Sequence, residues 1–224
     1  MAWQRWIRMV EIEPSLYAAD FSILGEQVEV LLRCGARVFH FDVADGHFVP
    51  PITMGPIVLK SIAELVHRFN GALDVHLMTE TPERHFAAFA EAGADSVTFH
   101  LEAVADVSAV TAQAREHGLQ VGLAVRPDTP VEQLAAEAAH ADIVLCMSVQ
   151  PGWSGQEYIA ESTARIQALR AAVSDKPVQV DGGVTNENVR EIFDAGATLI
   201  VAGSSIFQRE DLPRAYRRLV QALA

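Results

Sequence analysis

The chain has 224 residues, half of them hydrophobic, and a formal net charge of −12. That length and apolar content suit one large α/β domain or two small ones and exclude a disordered chain. The negative balance argues against nucleic acid and anionic membranes as partners, and no apolar run is long enough to span a bilayer. Any anionic ligand has to be caught by local backbone amides or a helix N-terminus, because the overall field repels it.

Met1 to Arg8 reads as a short N-terminal extension. Gln4, Arg5 and Arg8 interrupt the apolar core that a signal peptide needs, so the cytoplasm is the expected location. Trp3, Trp6 and Ile7 are expected to cover a barrel end or a subunit contact, and a homo-oligomer is expected. Strand-like and helix-like segments then alternate to the end of the chain. Met9–Ser15 is a predicted strand and Ser22–Cys34 an amphipathic helix. Val38–Val43 is the second strand, followed by a loop and a helix from about Pro56. Ala72–Leu77 is the third strand, after which Thr81 and Pro82 read as N-cap and first helical position. Ser96–Phe99 is the fourth, with a helix over Asp106–His117, and Leu119–Val125 is the fifth. Thr129 and Glu132 have the spacing of a capping box. Asp142–Met147 is the sixth strand, followed by a glycine-rich loop and a helix to about Val173. Pro177–Asp181 is the seventh, with a helix over Asn188–Asp194. Leu199–Ala202 is the eighth, and Leu212–Leu223 is the last helix.

Gly35, Gly93, Gly118 and Gly196 each stand between a helix and the next strand, where a left-handed residue ends the helix. Eight strand–helix units without a linker predict a single (β/α)₈ TIM barrel over residues 1–224. An open doubly wound sheet is the structural alternative. It is disfavoured because polar residues follow every strand instead of gathering at one switch point. Cys34 and Cys146 share no ligand spacing and read as buried thiols.

In a barrel all strand ends meet at one mouth. The polar residues at those ends are Ser15, His40, Asp42, His76, His100, Arg126, Ser148 and Asp181. Residues two apart in a strand share a face, so His40 and Asp42 point the same way. With His76 and Asp181 they make a His₂Asp₂ set able to surround one divalent cation, and the two carboxylates could also move protons. Four such groups facing one mouth are costly without an ion. His67, His85, His117 and His140 fall on helices and read as solvated; His47 could line the site, and His100 is either site wall or core. Phosphate is suited by the loop Gln150–Gln156, by Gly182-Gly183 and by Gly203-Ser204, since loops after the last barrel strands often hold one. Met78 and Met147 are placed to exclude water without competing as ligands.

The segments PSLYAADF, HFDVADGHFVP, DVHLM, TFH, MSVQPGWSGQ, VDGGV and VAGSSIF occur in this order from about Glu13 to Phe207. Together they resemble the ribulose-phosphate 3-epimerase family. The resemblance implies a ribulose-phosphate-binding barrel with one divalent cation (zinc, ferrous iron, manganese or cobalt) on His40, Asp42, His76 and Asp181. It implies that Asp42 and Asp181 are the acid/base pair. Ser15, His76, Met78, Met147, Gly152, Trp153, Ser154, Gly155, Gly182, Gly183, Gly203 and Ser204 would surround a small ketose phosphate. The implied activity interconverts D-ribulose 5-phosphate and D-xylulose 5-phosphate through an enediolate, in the pentose phosphate pathway. The residues fit: a cation can stabilise the enediolate as a Lewis acid while one carboxylate removes a proton and the other returns one.

The chain departs from that family at Ala44, where a methionine is usual, at Trp153-Ser154, at Gln150, at Arg126, and at Tyr17-Ala18. One reading is drift. Another is a pocket reshaped for a different ketose phosphate such as D-allulose 6-phosphate, with Arg126 as a fork for a second anionic group and Ala44 making room. A sugar-phosphate-binding barrel without turnover is the non-enzymatic alternative. A related decarboxylase is disfavoured because the only lysines, Lys60 and Lys176, are remote from Asp42 and Asp181 in the predicted elements.

Overall fold

A computed structural model describes residues 8–223. Trp3, Trp6 and Ile7 lie outside the described residues. Eight parallel strands make one sheet: β1 (Glu11–Pro14), β2 (Val38–Ala44), β3 (Ala72–Met78), β4 (Ser96–His100), β5 (Gln120–Val125), β6 (Ile143–Met147), β7 (Val178–Asp181) and β8 (Leu199–Ala202). Sequential strands are neighbours from β2 to β8, and β1 pairs with β8. A single parallel bridge, Ser15 to His40, joins β1 to β2 and closes the ring. The molecule is a (β/α)₈ barrel, and the doubly wound alternative falls.

The helices are α1 (Leu24–Arg33), α2 (Pro56–Arg68), α3 (Phe86–Ala92), α4 (Val107–Glu116), α5 (Val131–Glu137), α6 (Ser162–Ala172), α7 (Val189–Asp194), the short α8 (Ser204–Phe207) and α9 (Leu212–Ala222). Strand alternation sorts side chains between two cores. Phe39, Phe41, Val43, Leu73, Val75 and Leu77 belong to the large apolar cluster that includes residues of the helices, such as Leu59 and Ile62 of α2. The alternate residues face the barrel interior. There Val38, Ala72, Ile143 and Leu199 form an apolar plug, and the polar residues stack above it toward the C-terminal mouth.

Gly35, Gly93, Gly118 and Gly196 all have positive φ, as the sequence predicts. Two predicted caps do not form. Thr81 makes no side-chain cap, and Pro82 opens a 3₁₀ turn, with α3 beginning only at Phe86. Pro130 occupies the N-cap of α5; the Thr129 hydroxyl donates to Glu102, so the box with Glu132 is replaced by a tertiary contact. A 3₁₀ turn over Phe21–Ile23 likewise precedes α1, whose predicted start was Ser22. Cys146 is buried and Cys34 half-buried; both are free thiols.

Candidate active site

Three strands deliver the quartet. His40 and Asp42 stand on β2, His76 on β3 and Asp181 at the end of β7. Register sets their levels: Asp42 pairs with His76 and His40 with Asp74 across β2 and β3. One ligand atom from each of the four lies within 4.8 Å of the others. His40 Nε2 is 3.3 Å from Asp42 Oδ1 and 3.9 Å from Asp181 Oδ2. His76 Nδ1 is 3.0 Å from Asp42 Oδ1 and 3.8 Å from Asp181 Oδ2. His40 Nε2 is buried without a hydrogen-bond partner, as expected of an atom reserved for an ion. Two imidazole nitrogens and two carboxylates are a donor set that fits a divalent transition metal.

Each group is held from behind. The Ser15 hydroxyl donates to Asp42 Oδ2 at 2.6 Å, leaving Oδ1 for the histidines. His40 Nδ1 is 3.0 Å from Asp74 Oδ2, which assigns the proton to Nδ1 and the lone pair to Nε2. Asp74 also accepts from the Ser96 hydroxyl at 2.5 Å and from Gln179 Nε2 at 2.7 Å. Gln179 Nε2 reaches Glu13 Oε2 at 2.5 Å as well.

The electrostatics separate the two aspartates. Burial alone would raise Asp42, but the His40 and His76 rings beside it hold its carboxyl well below the usual range. Asp181 is pushed up to about 6, by burial first and then by the Asp42 charge. The two titrate as a coupled pair. Burial also opposes charge on His40, yet Asp42 and Asp74 raise it well above the ordinary imidazole value. These fields favour positive charge among the carboxylates, whether as a proton or as an ion.

Above the quartet lies a cavity that opens to solvent. Ser15, Asp42, Met78, Met147, Gly152, Trp153, Ser154, Gly155, Asp181, Gly182, Gly183, Gly203 and Ser204 all line it. His40 and His76 are fully buried beneath. A Cβ on Gly203 would stand 3.3 Å from Ser154 Oγ, and one on Gly183 would stand 2.4 Å from the Tyr158 backbone nitrogen. Glycine is required at Gly183 by this crowding and by its φ of +65°.

Several expectations are corrected. Arg126 does not line the cavity: its guanidinium lies 4.0 Å over the Phe48 ring and donates to the Phe48 carbonyl at 2.9 Å. It is therefore no fork for a second anionic group. Beside Ala44, the expected room is packed by Val49, Met78 and Phe48. His47 is exposed and faces a separate shallow cleft with Glu80, Glu102 and Arg126. His67 is exposed on its helix, as expected, and pairs there with Asp95 at 3.0 Å. The Ser148 hydroxyl donates to the carbonyls of Asp181 and Gly182, so it braces the loop after β7. His100 is fully buried, with Nε2 2.9 Å from His76 Nε2.

Sequence reasoning missed Glu13, Asp74, Gln179, Glu102 and Tyr17. For Asp74 the signal was present, since it precedes His76 by two residues as His40 precedes Asp42. Tyr17 lines the cavity, with its hydroxyl 3.4 Å from the Gly152 carbonyl. Glu102 lies in a 3₁₀ turn after β4, where no periodicity marks it.

Inward carboxylates and imidazoles under a glycine-lined pocket at the C-terminal mouth define the class as a (β/α)₈-barrel enzyme. The model of the ribulose-phosphate 3 epimerase family matches residues 11–207. Ribulose-phosphate 3-epimerase of Escherichia coli (strain K12) is 39% identical over 217 residues, covering 95% of this chain and 96% of the relative. The enzyme of the same name from Bacillus subtilis (strain 168) is 36% identical over 212 residues, covering 92% and 96%. Solved structures agree on the fold alone. 3-Hexulose-6-phosphate synthase from Salmonella typhimurium aligns with a TM-score of 0.72 at 18% identity, covering 95% of this chain and 98% of that one. Orotidine 5′-phosphate decarboxylase from Pyrococcus horikoshii OT3 aligns with a TM-score of 0.68 at 14% identity, covering 95% and 98%. The chain belongs to the ribulose-phosphate 3-epimerase family. It is an isomerase acting on carbohydrate. Among its described residues no helix is long and apolar enough to cross a membrane.

Proposed function

We propose that this chain is a metal-dependent ketose-phosphate 3-epimerase that interconverts D-ribulose 5-phosphate and D-xylulose 5-phosphate, a step of the pentose phosphate pathway. The observation that carries the reading is the convergence of Asp42, Asp181, His40 and His76 on the floor of the glycine-lined cavity. The four residues would hold zinc, ferrous iron, manganese or cobalt, all of which accept this donor set. A cation there supplies Lewis-acid stabilisation of the negative charge that develops on the sugar oxygens.

The chain's own residues do the rest. In this reading Asp42 and Asp181 exchange the proton with carbon 3, one from each face of the sugar. Asp42, held ionised by its histidines, is ready to accept; Asp181, raised by burial and by Asp42, is the one able to hold a proton. Ser15 orients Asp42 through its hydroxyl. Met78 and Met147, both buried, line the cavity with apolar surface and limit water around the carbanionic carbon. The loop from Gly152 to Gly155, with Gly182, Gly183, Gly203 and Ser204, offers main-chain amides to the phosphate.

An epimerase for D-allulose 6-phosphate loses its main motive, because Arg126 is committed to Phe48. The test is deuterium wash-in at carbon 3 across a panel of ketose phosphates, with and without chelator. Label entering ribulose 5-phosphate at enzymatic rates, and lost on chelation, is expected. Label entering no substrate would remove the epimerase reading, and label entering only another ketose phosphate would reassign the substrate.

A further inference from the structure

The proposed ligands His40 and His76 present different nitrogens to the same point, Nε2 from His40 and Nδ1 from His76. Behind His40 stands a carboxylate, Asp74. Behind His76 stands a second imidazole. His76 Nε2 and His100 Nε2 are 2.9 Å apart. The ring centroids are 5.1 Å apart with planes 28° from parallel, the separation of two rings meeting edge to edge through one N–H···N bond. Such a bond needs one donor and one acceptor, so fixing the proton on either ring fixes it on the other.

Glu102 biases that choice. Its Oε2 is 3.3 Å from His100 Nδ1, while its Oε1 accepts from the Arg126 amide at 2.8 Å and from the Thr129 hydroxyl. At that distance the two atoms form no hydrogen bond, but the carboxylate charge facing Nδ1 favours the proton on that nitrogen and leaves Nε2 as the acceptor. His76 Nδ1 lies 3.0 Å from Asp42 Oδ1, within hydrogen-bond reach; with a cation seated there Nδ1 gives its lone pair to the ion, and His76 donates from Nε2 to His100. The opposite order would point an N–H at the shared point and block coordination. The two imidazoles are fully buried, with the Phe48 ring 4.9 Å from His100 and the Arg126 guanidinium over Phe48, while Glu102 reaches the open cleft.

We propose that Glu102 and His100 are positioning residues that favour the Nδ1-ligating tautomer of His76, with Phe48 and Arg126 covering His100. This rests on the cation reading above. It also gives Arg126 a place in the site without any contact to substrate.

The test uses the full chain loaded with cobalt(II) and, for NMR, zinc. Cobalt affinity is measured by chelator competition for the unaltered protein, Glu102→Ala and His100→Phe, together with the visible cobalt spectrum. Loss of a supporting partner is expected to weaken affinity about 10- to 100-fold and to change the spectrum. Thr129→Val, which keeps the carboxylate, should stay near the unaltered value. Long-range proton–nitrogen spectra of the zinc-loaded, unaltered protein need no variant: a slowly exchanging proton on His76 Nε2 is expected, and one on Nδ1 would overturn the assignment. Cobalt bound tightly by the unaltered protein and equally by both variants would overturn the positioning role alone. No cobalt binding by the unaltered protein would remove the cation reading, and this inference with it.

Discussion

Glu13 is a carboxyl fully buried in the barrel interior, with Gln179 donating to it and Asp74 and His40 nearby. Burial, reinforced by the Asp74 charge, pushes it up to about 8, so the folded protein holds it neutral at pH 7. The unfolded chain releases that proton near the ordinary value of 4.5. Between those limits the folded state binds one more proton than the unfolded state, and stability falls as pH rises. The contribution is fully present below about pH 4.5 and gone above about pH 8. Glu13→Gln keeps the shape and removes the titration. Across that window the variant should therefore gain on the unaltered protein by on the order of 1 kcal/mol per pH unit. Urea unfolding at a series of pH values measures the difference, and parallel curves would mean that Glu13 is already ionised in the folded state. Chain-wide composition does not predict a neutral carboxyl of this kind. It depends on what three other strands bring to the same depth.

At the scale of elements, the loops after β6 and β7 are locked together, and Gly183 is one of the places where they touch. A methyl group there would meet the Tyr158 backbone, which cannot swing away as a side-chain tip can. Gly183→Ala should displace the loop proposed to hold the phosphate and leave the barrel strands intact. The expected result is a loss of roughly 10- to 100-fold in kcat/KM for the ketose phosphate, with cation affinity retained. Steady-state kinetics beside metal titration separates the two, and unchanged kinetics would place the phosphate elsewhere. The strands and their polar ends were legible in the chain because alternation with period two is a local property: it marked His40, Asp42, His76 and Asp181 before any contact was known. Caps and loop contacts were less legible because tertiary partners compete for the same atoms. Thr129 had the spacing to cap α5, yet its hydroxyl goes to Glu102. Arg126 looked available to an anion, yet the Phe48 ring and carbonyl take its guanidinium. Neither competitor lies near enough in sequence to leave a pattern.

Across the whole molecule, an apolar plug closes one end of the barrel, and a polar interior rises from it to the mouth. Glu13, Asp74 and Gln179 form a hydrogen-bonded base that fixes the proposed ligand His40 from behind. The ring closes at Ser15 and His40, the seam where β1 meets β2, and the Ser15 hydroxyl crosses it to Asp42. That construction costs desolvation of several ionisable groups, which a bound cation would offset by pairing with both carboxylates at once. The most direct test is anomalous X-ray diffraction from crystals of the metal-loaded protein, collected at the absorption edge of the metal. One peak is predicted, about 2.0–2.3 Å from His40 Nε2, Asp42 Oδ1, His76 Nδ1 and Asp181 Oδ2. A fully loaded crystal with no peak among those four atoms, or with its peak at some other place, would contradict the account.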